Sequence, residues 1–291
     1  MIGELASIMT PVVVCVAVGF GWARFGYPFD SEMMARLVTT VGLPALILSA
    51  LTGTTLSPAA FATTGLAAVA VLVVMLAVSF VVITAAGLDR RTYLPAVSFS
   101  NFGNMGLPLS VLAFGDVGLA YAVTFFAIHT VAMFGLGGAI ASGRTSLRTL
   151  VELPILASII VAVGFVTTGT APPLWFANSV KLIAGLVVPL MLIGLGVALA
   201  RLRFASFGRS LSLSLYRIGA GFAVGVFVAW MFGLEGPARG ILILQSSMPV
   251  AVFNYILAAR YKTAPNEVAG LVLLSTLLSF ATLPALLWFV L

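Results

Sequence analysis

Long uninterrupted apolar runs limit what this chain can become, because a segment that crosses lipid must satisfy its own backbone hydrogen bonds as an α-helix or a closed barrel. Ten runs of about twenty residues or more can be read along the sequence: Leu5–Ala23, Leu37–Leu56, Phe61–Leu88, Tyr93–Phe114, Gly118–Ile140, Leu150–Thr168, Leu174–Ala200, Phe207–Phe232, Ala238–Tyr261 and Ala264–Leu291. Stretches as continuous as Leu66–Phe80 lack the alternating polarity of a barrel strand, so helices are expected throughout. The fold class implied is an all-α integral membrane protein. Composition agrees, since 8% of residues are charged and 62% hydrophobic, against about a quarter charged in a soluble domain. A soluble enzyme, a nucleic-acid binder and a disordered adaptor are thereby excluded. The joints are too short for an appended catalytic or nucleotide-binding module. Cys15 is the one cysteine and has no internal disulfide partner. The first run is preceded by Glu4 rather than Lys or Arg and followed by Arg24, which favours a retained span over a cleaved signal.

Charge sets orientation. Eleven of the 14 basic residues fall in the odd-numbered joints: Arg24 and Arg36; Arg90 and Arg91; Arg144 and Arg148; Arg201, Arg203 and Arg209; Arg260 and Lys262. Arg239 alone is clearly in an even joint, while Lys181 and Arg217 fall inside runs. By the positive-inside rule the odd joints are cytoplasmic and both termini lie outside a cell membrane.

The chain also repeats itself. Val16-Ala17-Val18-Gly19-Phe20 recurs as Val161-Ala162-Val163-Gly164-Phe165, and the same offset of 145 carries Pro44 onto Pro189. Pro108 and Pro249 form a third pair, in the fourth and ninth runs. This predicts a five-span repeat over residues 1–141, a cytoplasmic joint over 142–149 and a second repeat over 150–291. Because five is odd, the second copy is inverted, as in many secondary transporters.

Runs four and nine carry the chemistry. Run four contains Ser98-Phe99-Ser100-Asn101-Phe102-Gly103-Asn104-Met105-Gly106-Leu107-Pro108, and run nine contains Gln245-Ser246-Ser247-Met248-Pro249-Val250-Ala251-Val252-Phe253-Asn254. Prolines, glycines and amides at mid-span leave backbone groups to be satisfied elsewhere, and paired interruptions in two halves point to a transporter's binding site. If Pro108 and Pro249 open second half-helices, the N-termini offer N–H groups and positive dipole ends to an anion or a polar neutral group. The substrate-binding candidates are Asn101, Gly103, Asn104, Pro108, Gln245, Ser246, Pro249 and Asn254. The plainer reading is a pair of proline kinks whose amides restore helix–helix hydrogen bonds.

All eight acidic residues, Glu4, Asp30, Glu32, Asp89, Asp116, Glu152, Glu235 and Glu267, fall in joints or at run ends. That disfavours an organic cation as substrate and a carboxylate proton relay. No metal or cofactor motif is present, and coupling to Na⁺ or H⁺ is left open. Two ionisable residues lie within runs. Arg217 either meets an anionic substrate, snorkels to the cytoplasm beside Ser210, Ser212 and Ser214, or forms a structural pair. His129 either relays a proton or is a hydrogen-bonded core residue. The Gly221 and Gly225 spacing and Gly194-Leu195-Gly196 suit close helix packing. Trp22, Trp175 and Trp288 fit interface anchors. One histidine and no mid-span carboxylate argue against an intramembrane enzyme.

Asn101-Phe102-Gly103-Asn104-Met105-Gly106-Leu107-Pro108-Leu109 and Met248-Pro249-Val250-Ala251-Val252-Phe253-Asn254-Tyr255-Ile256-Leu257-Ala258 resemble the crossing-helix patterns of the auxin efflux carrier family, which includes bacterial permeases related to malonate and malate carriers. The resemblance extends over the whole chain. It implies that spans four and nine unwind and cross, as in the related bile-acid symporter fold. It implies a scaffold of spans one, two, six and seven, a transport domain of spans three to five and eight to ten, an elevator motion, and in many relatives a homodimer through the scaffold. Asn101, Gly103 and Asn254 are the positions it marks for substrate or ion contact. The long cytoplasmic loop of the plant auxin carriers is absent here, which argues against auxin itself. A carrier of a small organic anion such as a carboxylate or dicarboxylate is the leading expectation, with membrane lipid as its surroundings; a channel or a transport-derived sensor is the alternative.

Overall fold

A computed structural model describes residues 2–53, 56–144, 154–202 and 206–291. Arg148, Glu152, Arg203 and most of the expected joint over 142–149 lie outside the described residues. Among the described residues the regular structure is helical, apart from one isolated antiparallel bridge between Ser100 and Val250.

Among the described residues seven helical stretches are long and apolar enough to cross a membrane: Gly3–Arg24, Ser31–Thr52, Pro58–Ala85, Phe102–Ser142, Leu174–Arg201, Phe207–Met231 and Pro265–Val290. We label the α-helices α1 (Ile2–Arg24), α2 (Ser31–Leu37), α3 (Leu43–Thr52), α4 (Pro58–Ala85), α5 (Arg90–Ser98), α6 (Leu107–Ala132), α7 (Gly138–Ser142), α8 (Pro154–Thr168), α9 (Leu174–Arg201), α10 (Phe207–Met231), α11 (Gly236–Ser246), α12 (Val252–Tyr261) and α13 (Pro265–Val290). The fourth and ninth apolar runs are therefore divided, the former between α5 and the start of α6, the latter between α11 and α12. Runs four and five are joined in one stretch that turns at Gly115, whose φ of 63° and ψ of −153° only glycine adopts readily.

Local chemistry explains the ends. Ser57 caps α4 with Pro58 at its first position. Asp89 caps α5 by accepting from the Arg91 and Thr92 N–H groups. The Thr92 hydroxyl, which also donates to Asp89, holds this carboxyl below the usual carboxylate range. A lowered folded pKa means that the cap contributes above the unfolded value and fails as pH falls through the folded one. Asp89→Ala is expected to cost about 1 kcal/mol at pH 7, read as a lower melting temperature. The gap to wild type should narrow as pH falls below the ordinary carboxylate range and through the lowered folded pKa, where the carboxyl becomes protonated in both states.

Among the described residues three π-turns are present: Val38–Gly42, Phe102–Gly106 and Met133–Gly137. Two end on the same tripeptide, Gly42-Leu43-Pro44 and Gly106-Leu107-Pro108. A proline has no N–H for the carbonyl four residues back, and the wider turn before it accommodates that loss. Pro189, by contrast, lies within the α-helix α9. Equal sequence offset thus does not give Pro44 and Pro189 equal local structure.

Packing is reciprocal. The helix α1 lies along α9, and α3 lies along α8, so the first and second apolar runs pair with the seventh and sixth. On the other side α10 packs on α11 and α13, α4 on α5 and α6, and α4 meets α10. The closest helix contact uses glycine. A Cβ at Gly19 would strike the Ile193 carbonyl, and one at Gly196 the Val16 carbonyl, whereas Gly164, the repeat counterpart of Gly19, has nothing within 4 Å.

Candidate functional site

The centre of the molecule is built where the two divided runs meet. Helix α5 ends at Ser98, and Phe99 is extended (φ −98°, ψ 114°). Helix α11 ends at Ser246, and Ala251 is extended before α12 begins (φ −67°, ψ 139°). The two extended pieces lie antiparallel. The Asn101 N–H donates to the Pro249 carbonyl at 2.7 Å, and the Ala251 N–H to the Phe99 carbonyl at 3.4 Å. Buried backbone groups released by the breaks are thus paired with each other, as a lipid-embedded chain requires.

Side chains complete this accounting. Ser100 Oγ donates to the Gln245 carbonyl at 3.0 Å, and Asn254 Nδ2 donates to the Phe99 carbonyl at 3.0 Å. Gln245 Nε2 donates to Ser110 Oγ at 3.2 Å. Arg217 is 1% exposed. Its Nε donates to the Met248 carbonyl at 3.3 Å, its Nη1 to the Val97 carbonyl at 3.0 Å, and its Nη2 to the Ser246 carbonyl.

Beside the crossing lies a cavity of about 150 Å³. Its wall at the crossing is Ser100–Asn104 together with Ala251, Val252 and Phe253. The opposite wall comes from α2, the first π-turn and α9, through Met34, Val38, Met191 and Gly194, and Phe126 and Thr130 close one side. It reaches the exposed Ser31, whose hydroxyl accepts from Arg201 Nη1 at 3.1 Å. Among the described residues no charged side chain lines it. Two helical N-termini face it instead, one beginning at Phe102 and one at Val252. The first N–H groups of a helix have no intrahelical acceptor, and its N-terminus carries about half a positive charge. Asn101 is 3% exposed, and its Nδ2 has no partner; the Thr130 hydroxyl is likewise buried without one. A donor amide, a hydroxyl and two helix N-termini around a space with a mostly apolar wall can hold a small anionic or strongly polar group.

The sequence candidates separate on this geometry. Asn101, Gly103 and Asn104 line the cavity. Asn254, Gln245, Ser246, Pro108 and Pro249 do not: Asn254, Ser246 and Pro249 bond at the crossing, the Gln245 side chain bonds Ser110, and Pro108 lies in the first turn of α6. Pro249 corrects the expectation that it opens a half-helix. It sits in the extended segment and supplies the acceptor for Asn101, and the helix starts three residues later at Val252. Pro108 follows a helical turn that already begins at Phe102. The two prolines therefore have different jobs, and the bridge pairs Ser100 with Val250 rather than one proline with the other. Arg217 neither lines the cavity nor snorkels, since carbonyls of both broken runs occupy it. His129 is buried, bonds through Nε2 with the Ala68 carbonyl at 3.0 Å, and stacks on Phe125 with centroids 3.8 Å apart. It packs from α6 against α4, behind the cavity-lining Phe102 (centroids 5.7 Å apart), and does not itself line the cavity. Thr130, its neighbour, was not singled out from the sequence, nor was Arg201 as a mouth residue; a lone threonine in an apolar run carries no distinguishing pattern.

A family model described as membrane transport protein matches residues 139–288. An uncharacterized transporter of Methanocaldococcus jannaschii is 25% identical over 201 residues, which is 65% of this chain and 64% of that relative. An uncharacterized transporter of Methanothermobacter thermautotrophicus is 27% identical over 198 residues, with the same shares of 65% and 64%. The matched region thus spans slightly less than two thirds of either relative.

Proposed function

This chain belongs to the membrane transport protein family of auxin efflux carrier-like permeases, and from that premise we propose that it is a secondary carrier of a small organic anion. Membership makes it a multi-pass membrane protein of a transporter family rather than of an enzyme family. The observation that carries the anion reading is the convergence of two helix N-termini and the unpartnered Asn101 amide on one cavity that has no carboxylate among the described residues of its lining. A cation would lack a counter-ion there, whereas a carboxylate meets N–H donors and positive dipole ends. Arg201 at the mouth adds a positive charge on the path inward. A dicarboxylate and a monocarboxylate with an apolar body both satisfy that donor set.

In this reading the chain forms ten spans in two inverted halves, with α1, α2–α3, α8 and α9 as scaffold and the remaining helices as the moving body. The reciprocal pairing of α1 with α9 and α3 with α8 supports that division. The cavity lies between the two groups, which suits an alternating-access motion of elevator type. With the basic joints cytoplasmic, the cavity mouth near Ser31 and Arg201 opens inward, in the cell membrane. Coupling to Na⁺ or H⁺ and a homodimer through the scaffold are further parts of the proposal.

A thermal-stability screen tests the substrate class. Purified protein is heated with a panel of mono- and dicarboxylates, their neutral amides and matched amines, with and without Na⁺ and at two pH values. A ligand at a hundred times its dissociation constant stabilises the folded state by about 2.7 kcal/mol, a shift that such a scan resolves. A stabilising carboxylate whose amide and amine are inert is the expected outcome. Stabilisation by an amine alone would refute the anion assignment.

A further inference from the structure

We infer that Arg217 is the positioning residue of the crossing, a buried cation that ties the two broken runs together and so sets the cavity-facing helix starts. The sequence builds the contact from three positions four residues apart. Arg217, Gly221 and Gly225 share one face of α10. A Cβ at Gly221 would strike the Ser246 carbonyl, and one at Gly225 would come within 3.1 Å of the Ser246 Cβ, so the absence of both side chains lets α10 press against α11. One turn earlier, that same face delivers the guanidinium to the end of α11.

There Arg217 bonds carbonyls from two separate helix ends, Val97 on α5, and Ser246 with Met248 at and beyond the end of α11. The last carbonyls of a helix have no intrahelical donor and carry about half a negative charge per helix. Two such ends together balance about one positive charge, which explains a buried arginine with no carboxylate bonded to it. Guanidinium suits this task because its donors lie in a fixed planar fork, whereas a lysine presents one compact charge. The bridging N–H groups of Asn101 and Ala251 lie within five residues of the bonded carbonyls. Loss of the clamp therefore frees the segments that carry Phe102 and Val252 toward the cavity. This deepens the carrier reading by naming what holds its site, yet its test reads the crossing whether or not an anion is carried.

Hydrogen–deuterium exchange on the purified full chain is the experiment, comparing wild type, Arg217→Gln and Arg217→Lys. The backbone N–H groups of Asn101 and Ala251, read in peptides over residues 99–105 and 250–254, should exchange at least about tenfold faster in Arg217→Gln. Peptides from α1 and α9 should keep wild-type rates. Arg217→Lys, which keeps the charge but cannot reach all the carbonyls, should show a smaller increase at the same two places, and decides the matter if the glutamine variant fails to fold. Wild-type exchange at the bridge in the lysine variant, or equal acceleration throughout the chain in either variant, would overturn the assignment.

Discussion

Asn101→Ala is expected to reduce transport of the cognate anion by about 10- to 100-fold while leaving the melting temperature within a few degrees of wild type. Two features of Asn101 act separately. Its backbone N–H holds the Pro249 carbonyl, a bond that alanine retains. Its Nδ2 is buried without a hydrogen-bond partner, on a residue of the cavity wall, so removal deletes a donor that the fold does not use. A hydrogen bond to a charged group contributes about 1.5–3 kcal/mol, which sets the range. Asn254→Ala should behave in the opposite way. That amide donates to the Phe99 carbonyl, so its loss should lower stability and reduce transport only through the fold. Proteoliposome uptake together with a melting curve distinguishes the two, and an unaffected rate in Asn101→Ala would remove the residue from the site.

Valine in place of glycine at the α1–α9 contact should give the largest loss of stability. At Gly19 and Gly196 the obstacle is a backbone carbonyl of the facing helix, which cannot rotate aside as a side chain can. The helices must separate, and overpacking of this kind costs about 1–3 kcal/mol per site or more. At about 2–4 °C per kcal/mol for a chain of this size, Gly19→Val and Gly196→Val should each lower the melting temperature by about 5–10 °C. Gly164→Val is the internal control. It lies in the second copy of the same pentapeptide with open space around it, and its melting temperature should match wild type. A similar fall in all three variants would mean that helix propensity rather than close approach governs these positions.

That contrast shows what a sequence can and cannot reveal here. The apolar runs and the polar interruptions in runs four and nine were legible because lipid imposes a one-dimensional rule: about twenty apolar residues per span, and no free backbone groups outside a protected centre. The orientation of single side chains was not. Asn101 and Asn254 are the same residue type in equivalent settings, yet one is a cavity-wall residue with an unpartnered amide and the other bonds the Phe99 carbonyl at the end of α5; only the path of the crossing decides which. Arg217 was legible as anomalous, but its partners are main-chain carbonyls, which leave no mark in composition. Likewise Met34, Val38 and Met191 became wall residues through tertiary packing of helices far apart in sequence.

Uptake into proteoliposomes tests the carrier assignment most directly. The purified chain is reconstituted, an outward or inward gradient of Na⁺ or H⁺ is imposed, and accumulation of labelled carboxylates is followed beside a labelled organic amine. At least one carboxylate should accumulate above its external concentration, saturate, and lose about 10- to 100-fold in rate in Asn101→Ala. Accumulation of the amine instead, or carboxylate entry that only equilibrates under every gradient and is untouched by Asn101→Ala, would contradict an anion carrier with its site at the crossing.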